Sequence, residues 1–263
     1  MTMADISKYA LVVYAAAIGG FVYAPISTMV LFSFNSSSRT VPPFDGPSLN
    51  WYNAALGSAG IVDAFTRSLV LGVVTTALAT ALFTLAGLAY RRSFRGGSFF
   101  FYLIAVGIIM PGITYSLGLE LFYGNLGIPI SLWTALPAHL IWTIPWGLIL
   151  VRATIDPNML VYEDAARTLG ASEAKVMRHV TLPLFLPAII GGALFAFTLS
   201  FTDLVRSIFV TFPDTLPLEI YSLSQLRVAP DIFAVGSMIV IVSIGLLLLA
   251  SYFLRGTLRR LSL

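Results

Sequence analysis

The sequence predicts an all-α membrane protein with six transmembrane helices, and three observations carry that expectation. Of its 263 residues, 58% are hydrophobic and only 10% charged, where soluble domains carry about 25% charge; the mean hydropathy is +0.91. Six apolar runs are long enough to cross ~30 Å of hydrocarbon at a helical rise of ~1.5 Å per residue. The lysines and arginines fall unevenly on the segments between those runs. A membrane barrel would instead show alternating segments of about ten residues.

The first run is Tyr9 to Phe34. Ala15-Ala16-Ala17, after Lys8, resembles a signal-peptide cleavage site, but the apolar stretch continues far beyond it. A signal peptide's apolar region ends at its cleavage site, so an uncleaved first span is expected. Asn35 to Arg67 is polar, with VPPFDGPS as turn material. Within it LNWYNAAL reads as a short interfacial helix, with Trp51 and Tyr52 at headgroup depth. The second run, Ser68 to Tyr90, has no charge, and RRSFRGG joins it to the third, Ser98 to Leu119. The fourth is Leu132 to Val151, the fifth Leu184 to Thr202 and the sixth Ile232 to Leu254. Pro25, Pro111, Pro137, Pro145 and Pro187 are either ordinary kinks, whose freed carbonyls neighbouring groups re-satisfy, or bends lining a pathway. Gly87, Gly107, Gly191 and Gly192 permit close helix approach.

Orientation follows from the basic residues. With the N-terminus inside, the inner segments hold Lys8, Arg91, Arg92, Arg95, Arg152, Arg167, Lys175, Arg178, Arg255, Arg259 and Arg260. The outer ones hold Arg39, Arg67, Arg206 and Arg227, so eleven of the 15 lie inside. Both termini are therefore expected in the cytoplasm. The absence of cysteine excludes a disulfide framework and a thiolate metal site, and His139 and His179 are too few for a metal cluster. The net charge of +3 is small, and no nucleic-acid partner is expected. No internal repeat is visible.

One inner segment, residues 156–182, is polar and helix-patterned. Asp156-Pro157 forms a helix start. Met159, Tyr162, Ala166 and Leu169 make one apolar stripe, and Gly170 ends the helix as a C-cap. Ser172 caps a second short helix carrying Val176, Met177 and Val180, and Pro183 then opens the fifth span. Composition alone leaves two readings open: a helix lying on the membrane surface, or a short helix docked in a partner's groove.

The residues of this segment carry a family resemblance. Asp164-Ala165-Ala166, three residues, Gly170, nine residues, then Val180-Thr181-Leu182-Pro183 resembles the EAA motif of ABC importer permeases. Asp164 stands for the usual glutamate, with Glu163 before it, and Val180 for the usual isoleucine. The resemblance implies a single MetI-like permease domain over residues 1–263 of a type I importer in a bacterial inner membrane. Residues 35–67 would then be periplasmic and 156–182 a cytoplasmic coupling segment. It implies docking to an ATPase through Glu163, Asp164, Ala165, Ala166, Arg167, Leu169, Gly170, Ala171 and Ser172. The implied partners are a homologous second permease, a cytoplasmic ABC ATPase dimer, a periplasmic solute-binding protein and membrane lipid. The chain has no G-x-x-x-x-G-K-[ST] phosphate loop. It is therefore not expected to be an enzyme; ATP and Mg would be used by the partner, with no cofactor here. RRSFRGGS reads as a solvated inner loop.

FTLSFTDLVRSIFVTFPDTLPLEIYSLS and LGIPISLWTALPAHLIWTIPWG resemble the spermidine/putrescine branch of these permeases. A polyamine cargo is implied first, an opine or amino-acid derivative next. The candidate substrate path is Asp203 with Thr202, Arg206 and Glu120, because carboxylates near membrane depth are costly and mark pathways. Thr202 replaces one of the branch's paired acids, and Gly112 follows Pro111 where the branch tends to place an acid. Arg206 shares a helix face with Asp203 if the helix continues; it would repel a polycation and could pair with Asp203 or with a substrate carboxylate, which makes a zwitterionic or anionic solute a competitor. Two rival classes are an ion-coupled secondary transporter, which would need midplane ionisable groups or paired broken helices, and an intramembrane enzyme. No serine–histidine or paired-carboxylate arrangement stands out in the sequence for the latter.

Overall fold

Helices take up nearly all the apolar sequence, as lipid requires: a backbone N–H or C=O left unpaired in hydrocarbon costs several kcal/mol, and a helix pairs its own. The computed structural model describes residues 3–153, 155, 158–226 and 229–261, with the backbone alone at 3–8, 247 and 250–261. In chain order the helices are α1 (Met3–Ser33), α2 (Asn50–Gly57), α3 (Ala59–Tyr90), α4 (Gly97–Ile109) and α5 (Gly112–Asn125). A 3-10 turn, Leu132–Ala135, leads into α6 (Leu136–Ala153), followed by α7 (Met159–Thr168) and α8 (Glu173–Val176). A π-helical turn, Met177–Thr181, joins α8 to α9 (Leu182–Phe201); α10 (Leu216–Leu226) and α11 (Pro230–Leu261) follow.

The chain divides into two compact units, Met1–Val62 with Ile220–Ile241, and Asp63–Glu219 with Val242–Leu263. In the first, the end of α1 is tied to α2. Ser33 Oγ and Tyr52 OH lie 2.7 Å apart, and Trp51 Nε1 donates to the Asn35 carbonyl at 2.8 Å. The expected short helix is present, but its two aromatic tips bond to protein rather than to headgroups. In the second unit the core gathers Ala79, Phe83, Leu148, Val151, Met159, Phe185, Ala188 and Ala196. The Phe83 ring of α3 lies between Gly147 of α6 and Gly192 of α9. A Cβ at Gly192 would come within 2.8 Å of its Cζ, and one at Gly147 would overlap the ring. Gly87 meets Val151 and Gly107 meets the Ile141 carbonyl with equally little room. Three of the four glycines singled out in the sequence thus sit at close crossings, and Gly147 adds one that had not been singled out.

Among the described residues, four helical stretches are long and apolar enough to span, Tyr9–Ser33, Ala59–Tyr90, Leu132–Ala153 and Glu173–Phe201. The expected third span is not one helix. It breaks at Met110-Pro111 into α4 and α5, bent by 96°. Pro111 forces Met110 into an extended conformation, with ψ 131°, and its ring removes the N–H that would continue the ladder. Pro25, Pro145 and Pro187 lie inside helices that run on through them. The second span begins at Ala59, nine residues before the apolar run, so Asp63 and Arg67 are helical. Pro183 opens no separate helix: it is the second residue of α9, which continues from α8 through the π turn. The expected helix start at Asp156-Pro157 lies outside the described residues.

Replacing Gly147 with Val should destabilise the protein by about 1–3 kcal/mol, the range for overpacking a filled core. Thermal unfolding in detergent reads this directly, and an unchanged midpoint would contradict the seating of Phe83.

Candidate functional site

Gly170 turns the chain in the left-handed region, φ +84°, which glycine adopts without steric penalty. The turn sets α7 against α8, and Arg167 staples across it. Its Nε and Nη2 donate to the two Glu173 carboxylate oxygens at 2.6 and 3.0 Å, and Nη1 donates to Asp164 Oδ1 at 2.6 Å. The Glu173 carboxylate, bonded edge-on, pushes the guanidinium further toward its charged form, and Asp164 adds to this. Ser172 holds the N-cap position of α8 in extended backbone, but its side chain caps nothing.

Glu163 faces inward, and its side chain is 0% exposed. Thr181 Oγ1 in the π turn donates to its Oε1 at 2.8 Å. Arg91 Nε lies 3.3 Å from Oε1, and Arg167 Nη2 and Arg92 Nη2 lie 3.3 and 3.7 Å from Oε2. This corrects two expectations. Glu163 is not on a docking face, because its charge is used within the chain. RRSFRGGS is not merely solvated, because its first arginine is largely buried on that carboxylate. Arg91 and Thr181 were missed for want of a sequence signal: they lie 72 residues before and 18 residues after Glu163.

The apolar stripe of α7 also divides. Met159 is buried, whereas Tyr162 is exposed and Leu169 is 89% exposed. Burying Glu163 turns Met159 inward and leaves Ala166 half-buried, while Tyr162 and Leu169 are rotated out. Val161, Ala165 and Leu169, spaced by four, form an exposed apolar face next to the Gly170 turn.

A second polar cluster closes the far end of α9. Asp203 and Arg206 lie beyond the helix, which ends at Phe201, so helical spacing does not bring them together. They pair nonetheless, Arg206 Nη1 donating to Asp203 Oδ1 at 3.0 Å. The Ser116 hydroxyl donates to the Arg206 carbonyl at 2.9 Å, and the guanidinium lies over the Trp142 ring. His139 is fully buried beneath, its Nδ1 2.7 Å from Ser200 Oγ and its Nε2 2.9 Å from Ser207 Oγ. Ser207 Oγ donates its one hydrogen to the Asp203 carbonyl, so it accepts from Nε2–H, and Nδ1 accepts from Ser200. Folding thus creates a serine–histidine contact that the sequence did not announce. Thr202 is turned away, exposed and bonded to the Thr198 carbonyl. Glu120 lies apart from this cluster, lining a cavity of about 300 Å³ with Leu121, Gly124, Asn125, Ile128 and Ile130.

Residues 75–262 match the family model described as binding-protein-dependent transport system inner membrane component, and the chain belongs to that family. It is a transmembrane permease of a binding-protein-dependent importer. It is 32% identical over 237 residues to the spermidine/putrescine transport system permease protein PotC of Escherichia coli (strain K12), covering 88% of each chain. It is 33% identical over 229 residues to the putrescine transport system permease protein PotI of the same organism, covering 83% of this chain and 81% of that one. Among solved structures, the fold matches a bacterial ABC transporter involved in alginate import with a TM-score of 0.63, at 18% identity and covering 97% and 98% of the two chains. The MetNI methionine ABC transporter matches with a TM-score of 0.62, at 17% identity and covering 75% of this chain and 95% of that one.

Removing one partner of a buried ion pair leaves the other charges unanswered, at about 3–5 kcal/mol. Glu163→Ala should lose stability on that scale, while Asp164→Ala, on an exposed carboxylate, should lose little. Comparison of their unfolding midpoints in detergent tests the hub, and equal losses would count against it.

Proposed function

We propose that this chain is one of two homologous permeases of an ATP-driven importer, with six spans, α4 and α5 together forming the third, and both termini cytoplasmic. Residues 35–67 would face the periplasm with the solute-binding protein. Residues 156–182 would face the cytoplasm, where an ATPase dimer performs the hydrolysis. The cargo class proposed is a polyamine, because that is the cargo named for relatives such as PotC and PotI. The path would run past Asp203 and Arg206.

The observation that most supports the coupling role is the exposed apolar face Val161, Ala165 and Leu169 on a water-facing, charge-stapled turn. An apolar side chain such as Leu169, 89% exposed in water, is stabilised when a partner's groove covers it. Asp164 is also exposed, and its carboxylate can orient a partner that carries basic groups. Arg167 fixes the turn so that docking orders little further chain.

Two substitutions test this. Gly170→Leu has open space around its Cβ, so only the left-handed backbone resists it, at roughly 1–2 kcal/mol. The chain should stay folded while cargo no longer stimulates ATP hydrolysis. Leu169→Glu should reduce co-purification of the ATPase without shifting the unfolding midpoint. Normal transport by both variants would overturn the assignment.

A further inference from the structure

Arg206 occupies a place suited to a cation. Its guanidinium carbon lies 3.6 Å from the centre of the Trp142 ring, and Nη1 donates to Asp203 Oδ1 at 3.0 Å. A carboxylate beside an aromatic face is the chemistry that recognises ammonium and guanidinium groups. The site is deep, with the Asp203 and Arg206 side chains 4% and 14% exposed. It is also left incomplete. Asp203 Oδ2 and Arg206 Nε are buried without a hydrogen-bond partner among the described residues. His139 Nε2 is 3.7 Å from Asp203 Oδ2 and gives its hydrogen to Ser207. An ion pair that served structure alone would normally be saturated. Gly112 packs closely under the guanidinium arm: a Cβ there would sit 3.0 Å from Arg206 Cγ and 3.2 Å from Cζ.

We infer that Arg206 is a tethered competitor for the cargo. Its guanidinium holds the seat formed by Asp203 and Trp142, a cargo alkylammonium displaces it, and it returns when the cargo leaves. The inference rests on the reading of the cargo as a cationic amine. Tethering gives the guanidinium a high effective concentration at the seat. The buried carboxylate is then never left without a counter-charge, a state that would be strongly unfavourable. The exchange also weakens cargo binding, so that cargo is released to the far side rather than trapped. Arg206 lies in a turn after α9 rather than on a helix, so its side chain can leave the seat without unwinding a span.

Calorimetric titration of putrescine into the purified permease, with the subunits that accompany it, tests the exchange. R206Q should bind putrescine about tenfold more tightly than the natural chain, the scale of one partly desolvated cation–π contact. Adding D203N or W142L to R206Q should abolish that gain. R206K keeps the charge without the flat stacking group and should fall between; it carries the comparison if R206Q does not yield monodisperse protein. Binding by either variant no tighter than that of the natural chain overturns the proposal. The cargo reading is tested separately, by ATP-driven uptake of putrescine and spermidine into proteoliposomes. If neither is taken up, that reading fails, while the titration still decides whether Arg206 competes for the seat.

Discussion

The Glu163 carboxylate is the constraint around which the helical turn at Gly170 is built. A buried carboxylate is tolerated only when donors and positive charge surround it. Here they come from three separate places: Arg91 and Arg92 after α3, Arg167 one turn along α7, and Thr181 in the π turn. A buried ion network of this kind does not necessarily add stability over apolar packing; what it supplies here is a single arrangement of its parts. With Glu163 directed inward, Met159 must follow it, and Val161, Ala165 and Leu169 must face outward. The exposed apolar face is thus a consequence of where one carboxylate is buried.

The same helix carries both polar clusters. Thr181 immediately precedes α9 and bonds Glu163, whereas Ser200 lies at its last turn and bonds His139. The 20 residues between Leu182 and Phe201 make a rod of about 30 Å, and Phe83 grips it at Gly192. Helix α6 runs alongside with the same polarity of function, holding His139 and Trp142 toward one end and Val151 in the core toward the other. A displacement imposed on the Gly170 turn therefore acts on a stiff element whose opposite end borders the Asp203–Arg206 pair. In the proposed importer role, α9 would be the contiguous packed element between the two clusters.

The sequence announced the all-helical architecture because lipid makes the signal strong: long apolar runs, charge asymmetry and the absence of cysteine all point one way. The Gly170 turn was equally plain, since only a glycine accommodates that backbone without strain and the spacing around it is specific. The facing of α7 was not legible. Its apolar residues suggested one stripe from Met159 to Leu169, and the stripe divides because a charged side chain takes the interior position beside Met159. No local pattern reveals that Glu163 would find Arg91, whose nearness arises only when α3 and α7 pack. The break at Pro111 was one of five proline positions weighed alike. It differs because the chain on its two sides diverges by 96°, a tertiary choice rather than a local one. Likewise Asp203 and Arg206 meet through a turn, not through the helical spacing that first suggested the pair.

The leucine–proline that closes the EAA-like motif acquires a structural reason from these contacts. Pro183 has no N–H to offer the carbonyl four residues earlier, and its ring crowds that carbonyl. In a regular α-helix the conflict would produce a kink; here the chain widens over Met177–Thr181 into a π turn. A π turn inserts one residue into the helical count, so every later side chain is rotated by roughly 100° relative to an uninterrupted helix. Thr181, Phe185 and Ala188, spaced i, i+4 and i+7, share one face, so the turn that brings Thr181 to Glu163 also directs Phe185 and Ala188 into the core with Phe83. Val176 before the turn and Thr181 at its end are both buried five positions apart, a spacing that a regular α-helix would set roughly 140° apart around its axis. The widened turn before Pro183 thus keeps α8 and α9 on the same buried side, which a plain helix start at that position would not do.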